Sequence, residues 1–278
     1  MAETRKTAVI ASLPYGRTHM GRIIAVANQK GGVGKTTTAV NLSAALTARG
    51  KKVLLIDLDP QGNATSGLGV DKFQQNTVYD LLINDVKAAY CIRKEVAEGL
   101  DLIPSTVDLA GAEIEMLDID RHEFILKRKI RGVADHYDYI LIDCPPSLTL
   151  LTVNALTTAD SILIPIQCEF YAMEGLTQLM HTIQLVQKKL NPALSVEGVV
   201  FTMFDARTNL SQQVVDSVRE YLREKVYRTI IPRSVRLAEA PSHGMSILEY
   251  DPRSPGAAAY LNLADELMTF HVEPSNAQ

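Results

Sequence analysis

Gln29-Lys30-Gly31-Gly32-Val33-Gly34-Lys35-Thr36-Thr37 gathers three glycines, two lysines and two threonines in nine residues. Consecutive backbone N–H groups in such a turn face one concavity, and a helix that follows adds the positive end of its dipole, so a polyphosphate is held there favourably. Against the template G-x-x-x-x-G-K-[ST], Gly34, Lys35 and Thr36 match, and Gln29 stands where the first glycine would fall. The template gives Lys35 the β- and γ-phosphates and gives the Thr36 hydroxyl a Mg²⁺ ion. Lys30 has no role in it. Two further apolar runs end in carboxylates: Lys51 to Asp59 carries Asp57 and Asp59, and Tyr137 to Asp143 carries Asp143.

Those groups act together only if the chain folds to bring them together. Arg22 to Asn28 reads as a buried strand leading into the loop, and Thr37 to Leu46 carries apolar residues at helical spacing. Open parallel sheets collect ligands at the carboxyl ends of their strands, so Asp57, Asp59 and Asp143 are expected beside the loop. The expected order is strand 22–28, helix 35–48, strand 52–58, strand 100–104, helix 120–134, strand 138–143, helix 148–158, strand 160–166, helix 172–190, strand 196–204, helix 209–223 and helix 256–269. Strands alternating with helices predict a doubly wound α/β fold with a mainly parallel sheet covered on both faces.

Three segments, Lys30 to Thr37, Asp57-Leu-Asp-Pro-Gln-Gly-Asn63 and Asp143-Cys-Pro-Pro-Ser147, together resemble the ParA/Soj-type chromosome-partitioning ATPases of the deviant Walker A class. The likeness runs from about Met20 to about Met268, and Thr202 to Thr208 and Ile231 to Pro241 belong to the same branch. The resemblance implies ATP and Mg²⁺ as cofactors, with Gly31, Gly32, Val33, Gly34, Lys35, Thr36 and Thr37 wrapping the phosphates. It implies an ATP-dependent homodimer in which Lys30 reaches the partner's nucleotide. Asp59 would orient the attacking water, and Asp143 would hold the magnesium shell with Thr36 and Asp59; Asp57 would hold either that shell or only the loop. Lys30, Lys35 and Asp59 are thus the catalytic candidates. The resemblance also implies slow hydrolysis stimulated by a ParB-type centromere-binding protein, and a place in the cytoplasm on the nucleoid.

The chain has 278 residues, 46% of them hydrophobic, enough for one sizeable core, and no linker interrupts the alternating pattern. One P-loop domain over 20–270 is expected, preceded by a mobile extension at 1–19 and followed by a short tail at 271–278. No apolar run approaches the roughly 18 residues that span a bilayer. Cys91, Cys144 and Cys168 have neither CxxC spacing nor an even count, as in a reduced compartment, and Cys144 reads as buried filler. The six histidines form no ligand cluster.

A formal charge of −4 does not suggest nucleic acid, but between Asp205 and Arg236 seven basic residues face four acids. Lys127, Arg128, Lys129 and Arg131 make a second basic cluster on a predicted helix. For Arg207 and Arg236, with Arg233 as a weaker addition, the resemblance implies contact with the phosphates of non-specific double-stranded DNA. Ser234 and Met245 depart from the family pattern, where asparagine and lysine are common. A MinD-like membrane ATPase needs a basic amphipathic C-terminal helix, and no lysine or arginine follows Arg253. No membrane partner is therefore expected. A metabolic ligase or reductase using the same loop needs a substrate pocket or iron–sulfur ligands, and neither is legible.

Overall fold

The computed structural model describes residues 21–73 and 75–269; the expected extension and tail lie outside them. Eight strands, β1 (Arg22–Val26), β2 (Val53–Asp57), β3 (Arg93–Ala97), β4 (Leu100–Ile103), β5 (Tyr139–Asp143), β6 (Ser161–Gln167), β7 (Ser195–Phe204) and β8 (Val226–Pro232), form one sheet ordered β3-β4-β2-β5-β1-β6-β7-β8. Only the β3–β4 pair is antiparallel. The expected single-domain α/β fold is what forms.

Side chains alternate across the sheet, and each face buries its own set. Ile23, Ala25, Leu54, Ile56, Ile140 and Ile142 face helices Leu150–Thr158, Ala172–Lys189 and Asn209–Leu222. Ile24, Val26, Leu55 and Leu141 face helices Lys35–Ala48 and Pro255–Thr269. Because both faces are covered, β2 is buried at all five positions, which is why it reads as an unbroken apolar run.

β3 and β8 are absent from the expected order. β3 is an edge strand, Arg-Lys-Glu-Val-Ala, half-exposed and carrying the charges that protect a sheet edge. β8 mixes Arg228 and Thr229 among its apolar residues and ends at Pro232, which hides its alternation. The expected helix 120–134 is α-helical only over Ile125–Ile130 and is flanked by short 3₁₀ turns.

The connection that leaves β1 runs to β2 on one side and the one that leaves its neighbour β6 runs to β7 on the other, so the crevice at their carboxyl ends is the switch point where such folds bind ligands. Register sets the site: Val26 pairs with Asp143, and Asp143 pairs with Asp57. The loop entry and two of the three carboxylates therefore share one level.

Candidate nucleotide site and basic edge

The loop leaves β1 and enters helix Lys35–Ala48 through Gly34, whose φ of 86° is left-handed. A side chain there would be strained. No side chain caps this helix, so its first N–H groups remain open to an anion. Gly31, Gly32, Gly34, Lys35, Thr36 and Thr37 line a cavity of about 320 Å³ with Asp59, Gln61, Asn63, Pro146 and Met203.

Beside it a more apolar cavity of about 370 Å³ shares Gly34, Thr37 and Met203 and is closed by Pro232, Val235, Leu237 and Tyr260. A polar cradle opening into an apolar slot fits a triphosphate joined to a planar base. Met203 adopts a left-handed φ of 50°, a strained conformation of the kind concentrated at ligand sites. Sequence reasoning assigned no base-contacting role to Val235, Leu237 or Tyr260, because the approach of β8 and helix Pro255–Thr269 to the loop was not legible.

The three carboxylates do different things. Asp57 is fully buried; one oxygen accepts from Thr65 N and Thr65 Oγ1, both at 2.7 Å, and the other from Asp59 N at 3.3 Å. It ties down the loop. Burial pushes its pKa up to about 6, against the pull of the Thr65 bonds. Asp59 reaches the cradle, and its Oδ1 accepts from Gln61 N at 2.9 Å.

Asp143 is fully buried, and neither of its oxygens has a hydrogen-bond partner among the described residues. The Thr36 hydroxyl favours its charged form without reaching hydrogen-bond geometry. Burial, then the charge of Asp57, raises its pKa well above the carboxylate range. An orphaned buried carboxylate is costly unless a cation or a water shell satisfies it. No three His, Cys, Asp or Glu side chains converge as ligands among the described residues. A magnesium shell here has to be completed by Thr36 and phosphate oxygens, as that ion usually permits.

The two lysines part company. Lys35 is buried, and its Nζ donates to Lys30 O at 2.9 Å. Desolvation lowers its pKa, with Asp143 and Asp59 opposing. The Lys30 side chain lies outside its own cradle, where it pairs with Glu169 and sits 5.9 Å from the Tyr171 ring centroid. Val33 contributes no side chain to the cradle either; it is buried, and its carbonyl accepts from Thr202 Oγ1 at 2.8 Å.

At the same end of the sheet, Arg207 follows β7 and Arg233 and Arg236 follow β8, the two loops being tied by Arg233 N donating to Phe204 O at 3.0 Å. All three arginines are exposed. Arg207 is already engaged, donating through Nε and Nη2 to Asp205 at 2.8 and 2.6 Å. Arg236 pairs with Glu239 at 3.1 Å and Asp251 at 3.6 Å. In the second basic cluster, Lys129 pairs with Asp85 and Arg128 donates to Arg121 O.

The linkage at the carboxylates has a definite sign. Asp57 and Asp143 have folded-state pKa values raised above the unfolded ones, so their stabilising contribution is present at low pH and is lost as pH rises through about 6 for Asp57 and through the raised value of Asp143. A cation that needs ionised ligands reverses that loss. The increase in melting temperature given by Mg²⁺ with a non-hydrolysable triphosphate is expected to grow as pH rises above the ordinary carboxylate range. A shift independent of pH in scanning fluorimetry would contradict the role given to Asp143.

A loop after the central strand, an open helix N-terminus and acidic strand ends on a mainly parallel sheet define a P-loop ATPase. Residues 21–196 match the AAA domain family. The chain belongs to that family, among its Soj and ParA chromosome-partitioning proteins. It is 59% identical to the sporulation initiation inhibitor protein Soj of Bacillus subtilis over 249 residues, covering 89% of this chain and 98% of that one. It is 51% identical to the chromosome partitioning protein ParA of Myxococcus xanthus, with 92% and 93% covered. Among solved structures, a Mycobacterium smegmatis protein described as cobyrinic acid a,c-diamide synthase with bound ATP analogue and magnesium superposes with a TM-score of 0.79 at 40% identity, covering 89% of this chain and 94% of that one. The cell division ATPase MinD of Pyrococcus furiosus superposes at 0.74 with 30% identity, covering 90% and 99%.

Proposed function

We propose that the chain is a DNA-partitioning switch that binds ATP with Mg²⁺, dimerises over the two nucleotides, binds non-specific double-stranded DNA in that state, and lets go when it hydrolyses ATP. The observation that carries this reading is the position of Lys30, bound to Glu169 outside the cradle it borders. A second lysine in a loop that needs only one is explained if it serves the nucleotide of a facing subunit. Lys35 and the open N–H groups neutralise the phosphates, Asp59 orients water, and Asp143 with Thr36 holds the magnesium shell. Magnesium itself supplies charge neutralisation at the β- and γ-phosphates.

Hydrolysis by this switch is slow on its own and is accelerated by an outside stimulator, a ParB-type DNA-bound protein. Dimerisation doubles the arginines facing one duplex, so ATP raises DNA affinity and brings the protein onto the nucleoid. The domain responsible spans about 20–270. An amide-forming synthase would need a substrate pocket beside the γ-phosphate, whereas the polar cradle and the apolar slot described above suit the nucleotide itself. No helix among the described residues is long and apolar enough to cross a membrane.

The DNA surface is testable separately. Arg207→Glu is expected to weaken binding to a random duplex at least about tenfold and to flatten its salt dependence, since each lost phosphate contact lowers the log–log slope by about 0.9. Retention of ATP in an equilibrium binding assay shows that the exposed substitution left the fold intact. Unchanged DNA affinity would remove Arg207 from the interface.

A further inference from the structure

The turn that carries Asp59 lies between β2 and helix Asn63–Gly67. Its ends are fixed by buried groups: Asp57 accepts from Thr65 N and Thr65 Oγ1, each at 2.7 Å, and Thr65 Oγ1 accepts from Ser105 N at 2.9 Å. Its middle is more open. Gln61 and Asn63 are exposed, and the Asp59 carboxylate is fixed there through Gln61 N, which donates to its Oδ1 at 2.9 Å. A group that holds Gln61 therefore also aims the Asp59 carboxylate. Such a group comes from outside the turn. Lys72, on the segment between helices Asn63–Gly67 and Val78–Leu82, donates from Nζ to Gln61 O at 2.5 Å. Its stem crosses Gly62, where a Cβ would stand 3.3 Å from Lys72 Cε and 3.1 Å from Ser105 O. Gly62 has a left-handed φ of 59°, so the absence of a side chain permits both the turn and the crossing. Asp71 Oδ1 accepts from Phe73 N at 2.9 Å, a local turn that fixes the backbone from which Lys72 reaches over.

We propose that Lys72 is a positioning residue for ATP hydrolysis: it straps the turn after β2 and so holds the Asp59 carboxylate in the orientation that directs the attacking water. The strap is a charge-assisted bond to a backbone carbonyl, stronger than a neutral one and independent of the nucleotide. Lys72 does not line the phosphate cradle, whose loop residues bind ATP without it. Its contribution falls on turnover and not on ATP affinity. Reaction rates are steep in placement, a shift of about 1 Å at the reacting groups costing up to about a hundredfold. The proposal rests on the reading of Asp59 as the residue that orients water.

Lys72→Met keeps the stem and removes the charge and the donor, whereas Lys72→Arg keeps all three. In full-length protein at saturating ATP, Lys72→Met is expected to slow single-turnover hydrolysis about tenfold while ATP affinity stays within about twofold of wild type, the split that marks a group acting on the transition state alone. Lys72→Arg should restore most of the rate. Introduced into Asp59→Ala protein, Lys72→Met should cost nothing further, because both changes act through one carboxylate. A readout independent of hydrolysis is amide hydrogen exchange of the nucleotide-free protein, which should quicken at residues 61–63 in Lys72→Met and stay unchanged in β1 and β5. Wild-type turnover by Lys72→Met, the same rate loss in the Asp59→Ala background, or a parallel fall in ATP affinity and melting temperature would each overturn the proposal. Normal turnover by Asp59→Ala itself would overturn the role of Asp59 and with it that of Lys72, an outcome distinct from failure of the Lys72 variants alone.

Discussion

Asp59→Ala protein is expected to bind ATP, to remain dimeric, and to hydrolyse it about 10² to 10⁴ times more slowly than wild type, the range for losing a positioned general base or water-orienting group. Asp59 sits in the cradle wall with Oδ1 held by the Gln61 backbone at 2.9 Å, so its carboxylate is fixed relative to the phosphates. Asp57, two residues earlier, is spent on Thr65 and on the Asp59 backbone, and its removal should instead unfix the loop and weaken nucleotide binding. Single-turnover phosphate release with light scattering on the ATP-loaded protein separates the two outcomes. Normal turnover by Asp59→Ala would refute its assignment.

The second large effect falls on Lys30. Because its ammonium lies with Glu169 and Tyr171 rather than over its own phosphates, Lys30→Ala should leave ATP binding by single chains within a few-fold of wild type. ATP-dependent dimerisation should disappear, and hydrolysis should fall by about 10³, as when a charge supplied in trans is withdrawn from a phosphoryl-transfer site. Loss of ATP binding itself would place Lys30 in its own cradle. Tyr171, which lies against this lysine, forms an exposed edge-on aromatic pair with Phe170, ring centroids 5.1 Å apart.

The sequence showed the loop, its strand and helix, and the strand ends at Asp57 and Asp143 because each is written in consecutive residues. β1, β2 and β5 are buried on both faces and so read as plain apolar runs. The base slot was not legible in the same way. Its walls come from Met203, Pro232, Val235, Leu237 and Tyr260, brought together by the pairing of β7 with β8 and by the packing of helix Pro255–Thr269 on β8. β8 itself, half polar and ended by proline, carries no period strong enough to find. The pairing of Arg207 with Asp205 and of Arg236 with Glu239 and Asp251 was equally hidden, although Asp205 is only two residues away. With these carboxylates paired to them, the arginines make the basic edge less positive than its residue count suggests.

The most direct test of an ATP-driven DNA switch is binding to a random duplex with ATP, with ADP and without nucleotide, for wild type and Lys30→Ala, over a salt series. Salt-sensitive binding that appears in wild type only with ATP and is absent from Lys30→Ala is the expected result. Binding that ignores the nucleotide, or that survives in Lys30→Ala, would contradict the sandwich dimer as the state that holds DNA.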